Sequence, residues 1–171
     1  FALGIVNGNN KKYISSVKNK DNEVILKGSD IFKYHTNPNS NYIGLTTEFQ
    51  QVAPIEMYRA PEKLLYRFIS SQLVFAYDDK QTLSLNSCNV VIPKLEGLHI
   101  KYILAILNSR IAQFIYKMEF HSVKVLRSHI ENIPIPDVNA GMQNSIIQAV
   151  EPLINGLLLR KHKLPTSNLT N

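Results

Sequence analysis

Tryptophan is absent from this sequence of 171 residues, and cysteine occurs once, at Cys88. A lone cysteine excludes an internal disulfide and any zinc site assembled from several thiolates of the chain. It also fits a reducing, cytoplasmic setting. No apolar run approaches the roughly 20 residues that a membrane-spanning helix needs, and no signal peptide is expected. A soluble protein with no membrane partner is therefore expected. The five histidines lack ligand spacing such as His-Glu-x-x-His, so no metal site is expected. Asp78-Asp79-Lys80 has the acid-x-lysine ending of a nuclease metal site, but without a suitably placed upstream acid it reads as a turn between strands. There is no glycine-rich cofactor loop after a strand, no internal repeat and no low-complexity segment. No catalytic residue is assigned.

Hydrophobic residues make up 44% of the chain, enough for a real core and a single domain with an appendage. Lysine and arginine number 19 against 13 acids, a net charge of +6, and the part from residue 91 onward holds 9 of the cations and 5 of the acids. Such an excess suits a polyanionic partner, although proteins that never touch nucleic acid share it. The sequence opens on Phe1 inside the apolar run Phe1-Ala2-Leu3-Gly4-Ile5-Val6, from which we expect a piece of a longer polypeptide.

Most of the order lies between Pro61 and Pro136. Residues 63–69 and 73–77 are rich in aromatic and branched side chains, and Ser70-Ser71-Gln72 between them predicts a hairpin. Residues 82–92 predict a third strand with an irregularity near Asn86-Ser87. From Leu98 the apolar residues recur at three and four, through Ile103, Leu107, Ile111, Phe114 and Met118, which predicts one long helix over 98–118 lying across the sheet. Lys101, Arg110, Lys117, Lys124 and Arg127 stand in or just after it against the single acid Glu119.

Upstream, Asn7-Gly8 predicts a hairpin turn between strands at 3–6 and 11–14, followed by a short strand at 23–27 and another at 42–45. Ser29 or Asp30 could cap a short helical turn carrying Phe32 and Tyr34. Downstream, Pro134 and Pro136 favour an extended arm. A second helix follows Asn139-Ala140-Gly141, with Pro152 expected to kink or split it and Arg160-Lys161-His162-Lys163 placed at its negative end. The expected architecture is α+β: a small mixed or mainly antiparallel sheet packed by a long helix, with a C-terminal helical appendage. The expected boundaries are residues 1–138 for the domain and 139–171 for the appendage.

Several landmarks, in order, resemble the TaqI-like C-terminal specificity domain, the target recognition region of type II restriction-modification enzymes and adenine-specific DNA methyltransferases. Gly4-Ile5-Val6-Asn7-Gly8-Asn9-Asn10-Lys11 is similar to that family's opening Gly-Ile-x-Thr-Gly-x-Asn turn, with Asn7 in place of threonine. Residues 26–34 are similar to its Leu-x-Gly-x-Asp-Ile element. Arg67-Phe68-Ile69-Ser70, Ala76-Tyr77-Asp78-Asp79, Leu85-Asn86-Ser87-Cys88, residues 104–109 and residues 130–136 follow its later landmarks. The resemblance implies docking on double-stranded DNA and reading of a short sequence. Methyl transfer or cleavage would then belong to an N-terminal catalytic region of the same polypeptide. S-adenosylmethionine, with Mg²⁺ as a second candidate, would be the parent enzyme's cofactor, since this chain has no Asn-Pro-Pro-aromatic element to hold a flipped adenine. The alternatives are half of a type I specificity subunit, with the C-terminal helix as a spacer, and a protein-assembly module whose cations only confer solubility.

Sequence reading needs side chains matched to base edges, with cations and hydroxyls on the phosphates. The connector after the predicted helix supplies His121, Ser122, Lys124 and Arg127. Arg67 alternates with Tyr66 and Phe68 on its strand, and Ser70 and Ser71 occupy the hairpin tip. Lys11 and Lys12 stand beside the opening turn. Each has a plainer reading, as a solvated connector, a surface ion pair or a solvated lysine pair.

Overall fold

Four consecutive buried residues, Lys63 to Tyr66, give the β4 strand (Lys63–Arg67) two buried faces, so something must pack on each. The computed structural model describes residues 1–156. Its elements in chain order are α1 (Asn10–Tyr13), β1 (Ile14–Ser15), β2 (Glu23–Leu26), a 3₁₀ turn (Gly28–Asp30), β3 (Tyr42–Ile43), α2 (Ile55–Tyr58), β4, β5 (Phe75–Asp78), β6 (Leu83–Ser84), β7 (Cys88–Val91), α3 (Ile100–Asn108), α4 (Arg110–Glu119), α5 (Arg127–Glu131) and α6 (Ala140–Ile154). Helices and mainly antiparallel sheet occur together, an α+β architecture. No helix among the described residues is long and apolar enough to cross a membrane.

The central layer is the antiparallel sheet β5-β4-β7, in which Tyr66 faces Phe75 on one side and Asn89 on the other. Leu64, Tyr66, Phe75 and Val91 pack with Tyr102, Leu104, Leu107, Tyr116 and Ile130 of the helices. Leu65, Ala76, Cys88 and Val90 point the other way, into a cluster with Ile5, Ile25, Leu26, Ile43 and Tyr58. A second sheet, β1-β3-β2-β6, contributes to that cluster; its β2 and β6 run parallel and its other pairs antiparallel.

The predicted hairpin over 63–77 forms, with Lys63 opposite Asp78 and Tyr66 opposite Phe75. The expected third strand proves to be two: β6 joins β2 in the second sheet, β7 joins β4, and residues 85–87 carry the chain between the sheets. The irregularity near Asn86-Ser87 is this crossing.

Two expectations are corrected. The N-terminal hairpin does not form, because the asparagine side chains compete for the backbone. Asn7 Oδ1 accepts the Asn9 N–H at 3.1 Å and Asn9 Oδ1 accepts the Lys12 N–H at 3.2 Å, capping α1. Ala2, Ile5 and Val6 bridge instead to Val90, Leu85 and Gln51. Second, the 98–118 helix is interrupted at Ser109, whose backbone is extended (ψ 161°) and whose Oγ accepts the Ala112 N–H at 3.1 Å. The break shifts the phase, so α4 buries Ala112 and Tyr116 and leaves Ile111, Phe114 and Met118 exposed. Pro152 lies inside α6, which runs on to Ile154, only two residues further. Leu157, Leu158 and the 160–163 cations lie outside the described residues.

The helical turn after Leu26 ends at Asp30, before Phe32 and Tyr34, and Asp30 caps it by accepting the Lys27 N–H at 2.8 Å. Tyr34 adopts a positive φ of 78°, rare for a side chain of this size. Its N–H donates to the Phe75 carbonyl at 2.7 Å, and its carbonyl accepts the Tyr77 N–H at 3.1 Å.

Helix α6 packs on α3 through Gln143. Its Oε1 accepts the His99 N–H at 2.9 Å, and its Nε2 donates to the carbonyls of Gly97 and Val138 at 2.9 and 3.0 Å. Lys101 and Glu151 add an ion pair at 2.7 Å.

Candidate nucleic-acid interface

The connector between α4 and α5 is a strand-like segment tied to the tip of the β4–β5 hairpin. Ser70 donates its N–H to the Val123 carbonyl at 2.8 Å and Val125 donates its N–H to the Phe68 carbonyl at 2.8 Å. These bonds place Ile69 opposite Lys124 in an antiparallel bridge. Val125 is buried and pins the segment, while its neighbours Val123, Lys124 and Leu126 are exposed. Ser122 Oγ accepts the Lys124 N–H at 3.0 Å and donates to the Lys124 carbonyl at 3.1 Å, closing a tight turn.

One edge of the molecule therefore presents Ser70 and Ser71 from the hairpin together with Ser122 and Lys124 from the connector, with His121 adjoining in sequence and exposed. Arg127 begins α5 a few residues further on. Its guanidinium pairs with Glu131 at 2.7 Å and lies 5.1 Å from the centre of the Phe1 ring. His129 is held in place rather than offered: Nδ1 accepts the Leu126 N–H at 3.3 Å and the ring stacks on Phe120 at 4.2 Å.

Arg67 is half-buried. Its Nε donates to the Ile31 carbonyl at 2.7 Å, and its guanidinium sits 5.4 Å from the Phe32 ring centre, with His35 stacked on Phe32 at 5.5 Å. It forms no ion pair among the described residues, so the surface salt bridge weighed as its plainer reading does not form. Phe32 and His35 were not anticipated at this position, since the sequence places them some 30 residues from Arg67 with no shared motif.

Among the described residues, no hydrogen bond or ion pair joins Lys11 or Lys12 to this edge. They ride on α1, where Lys12 pairs with Glu48 at 2.7 Å and lies over the Tyr13 ring. The hydrogen bond to Glu48 holds the Lys12 ammonium above its usual range. Lys11 is exposed and joins none of the ion pairs among the described residues. Lys33, not anticipated either, donates to the Asn108 carbonyl at the end of α3 at 3.1 Å; burial, and then the Lys117 charge, lower its pKa.

Asp78 is committed elsewhere. It pairs with Lys63, both side chains being buried, and accepts the N–H and hydroxyl of Thr82 at 3.0 and 2.7 Å. No cluster of three or more metal-ligating side chains occurs among the described residues.

Residues 23–135 match the TaqI-like C-terminal specificity domain. The chain belongs to that family. No curated protein matches it. A TaqI-like specificity domain serves target recognition in restriction-modification enzymes and is not their catalytic part. Several landmarks of the TaqI-like domain turn out to be structural here. A Cβ on Gly28 would meet the Ser87 carbonyl at 2.6 Å, Asp30 is fully buried, and Asn108 is bonded to β5.

Proposed function

We propose that this TaqI-like domain binds double-stranded DNA sequence-specifically, as the target recognition domain of a type II restriction enzyme or DNA adenine methyltransferase. It would position the target for a catalytic region elsewhere in the same polypeptide. In this reading the recognition domain spans residues 1–138 and residues 139–171 are a C-terminal appendage.

The observation that supports the reading best is the backbone pairing of the connector with the hairpin tip. It leaves Lys124 exposed at an edge shared with the hydroxyls of Ser70, Ser71 and Ser122. Cations and hydroxyls on a fixed backbone are what phosphate contacts require, and they set the register from which other side chains read base edges. Arg127 and His121 extend the same edge, and Lys11 and Lys12 would add contacts only if the duplex also reached α1. Arg67, held by Ile31 and Phe32, presents a guanidinium with unused donors for a base or phosphate.

Titration of the chain with randomised duplexes at low and moderate salt tests this. Binding that weakens steeply with salt is expected, because phosphate contacts release counterions. An absence of binding, or binding indifferent to salt, would favour a protein-assembly module.

A further inference from the structure

Helix α4 points its large apolar side chains at solvent. Ile111, Phe114 and Met118 are 74%, 65% and 64% exposed, and their spacing of three and four residues sets them in one stripe along the helix. The break at Ser109 turns them outward, because it gives the inward positions to Ala112 and Tyr116. Single exposed apolar residues are ordinary, whereas three aligned on one helix, beside the half-buried Ile115, form a patch of the kind that a partner covers.

One flank of the stripe is cationic. Arg110 and Lys117, seven residues apart and so on the same side of the helix, are exposed and join none of the ion pairs among the described residues. Lys33 is held nearby through its bond to the Asn108 carbonyl at 3.1 Å; burial lowers its pKa, and the Lys117 charge lowers it further. Cations gathered in this way along an apolar stripe are complementary to a surface that is both apolar and acidic.

The charges choose among occupants. The chain's own residues 157–163, Leu-Leu-Leu-Arg-Lys-His-Lys, are apolar enough but would bring cations to a cationic flank. A second copy packed antiparallel on α4 would do the same, because a two-fold axis sets like flank against like flank and so Arg110 and Lys117 against their own kind. A DNA backbone supplies anions and leaves the apolar side chains uncovered. We propose that the Ile111-Phe114-Met118 face of α4 docks an acidic amphipathic helix from outside these 171 residues, its apolar side along the stripe and its carboxylates toward Arg110 and Lys117. This contact uses none of the residues assigned above to duplex binding, so it stands or falls apart from that reading.

The test selects from a displayed library of randomised peptides, each about 20 residues long to allow several helical turns, on the immobilised 171-residue chain. Enriched peptides are expected to place apolar residues at helical spacing and to carry more Asp and Glu than Lys and Arg. A synthetic copy of one should bind Ile111→Ser/Phe114→Ser about tenfold more weakly or worse, since a central aromatic anchor dominates such an interface. It should also lose affinity to Arg110→Glu/Lys117→Glu and with rising salt. All four side chains are exposed, and circular dichroism checks that both variants fold; should the first not fold, the charge variant decides. The proposal is overturned if the library yields nothing, if enriched peptides are basic or lack the apolar spacing, or if either folded variant binds them as the wild type does. It is also overturned if the chain dimerises in sedimentation equilibrium and Ile111→Ser/Phe114→Ser restores the monomer, which assigns the stripe to a second copy. Loss of duplex binding by that folded variant would overturn it too, by assigning the stripe to DNA. Failure of every duplex to bind the wild type would sink the DNA reading alone, and the peptides would still decide this one.

Discussion

The carboxamide of Asn108 pairs with both backbone groups of Phe75: Oδ1 accepts the N–H at 3.1 Å and Nδ2 donates to the carbonyl at 2.9 Å. Gln113 repeats the arrangement on Leu73, at 2.9 Å in each direction. Two amides, one from the end of α3 and one from α4, thus stand in for a strand along the outer edge of β5. The break at Ser109 lets both helices reach that edge. Replacing Asn108 with leucine is expected to leave the buried Phe75 N–H unpaired, while the carbonyl keeps its bond from the Tyr34 N–H, and to cost about 1–3 kcal/mol. Chemical denaturation would measure it, with Gln113→Ala, at a half-buried site, expected to cost less. Equal stability of Asn108→Leu and wild type would refute the role.

Lys63 and Asp78 form a buried ion pair between neighbouring strands, their side chains 0% and 2% exposed. Lys63→Met is expected to destabilise by about 3–5 kcal/mol, because it strands a charge in the interior. The double change Lys63→Met with Asp78→Leu should recover much of that loss in the same denaturation assay. Failure of the second change to help would mean that the bonds from Asp78 to Thr82 matter more than its charge.

Gly4 and Gly28 are fixed by close approach of backbone. A Cβ at Gly4 would lie 2.1 Å from the Leu85 carbonyl oxygen and 2.6 Å from that of Cys88. Alanine at either glycine must displace backbone, and a loss on the order of 1–3 kcal/mol is expected. A thermal melt of each alanine variant checks this, and a melting temperature matching wild type would contradict it.

Burial raises the pKa of Tyr34, Tyr58, Tyr66, Tyr77, Tyr102 and Tyr116, and the hydrogen bond to Glu62 raises that of Tyr77 further. The folded chain therefore keeps protons that the unfolded chain gives up above about pH 10. This contribution to stability is complete below that pH and falls as pH rises through it. Phenolate absorbance should emerge together with loss of structure. Burial likewise raises the Cys88 thiol, so it should resist thiol reagents until the fold opens. Smooth titration of these tyrosines at their ordinary pKa in an intact fold would argue against this account.

Lys124→Ala is expected to weaken duplex binding across sequences and to lower the slope of log affinity against log salt by about 1. Glu131→Gln should act in the opposite direction by releasing Arg127 from its ion pair. Binding measured over a salt series separates the two. An unchanged slope for Lys124→Ala would remove that lysine from the interface.

How far the chain could be read from its sequence differs from element to element. Residues 63–77 announce a hairpin because runs of aromatic and branched side chains and a polar tip are local properties, and β4 and β5 pair as expected. The 98–118 periodicity foretold helix but not its break, since Ser109 suits a helix surface as well as an N-cap. The side chains of Ile111, Phe114 and Met118 fit the apolar pattern yet face outward, because a pattern cannot register a change of axis. The connector's cations were legible as a cluster, whereas its pairing with the hairpin tip spans some 50 residues and leaves no local mark. Lys12 looked like a ready phosphate contact only because its partner Glu48 lies far away in sequence.

Composition, periodicity and an ordered set of short landmarks were enough to determine the α+β class, the central hairpin and membership of the TaqI-like family. They suffice because secondary-structure preference and family landmarks are written in neighbouring residues. Tertiary structure alone decided that residues 82–92 divide between two sheets, that asparagine amides turn the opening segment into a capped helical turn, and that the break at Ser109 turns Ile111, Phe114 and Met118 outward. Those outcomes depend on which distant backbone groups and side chains satisfy one another once the core is buried.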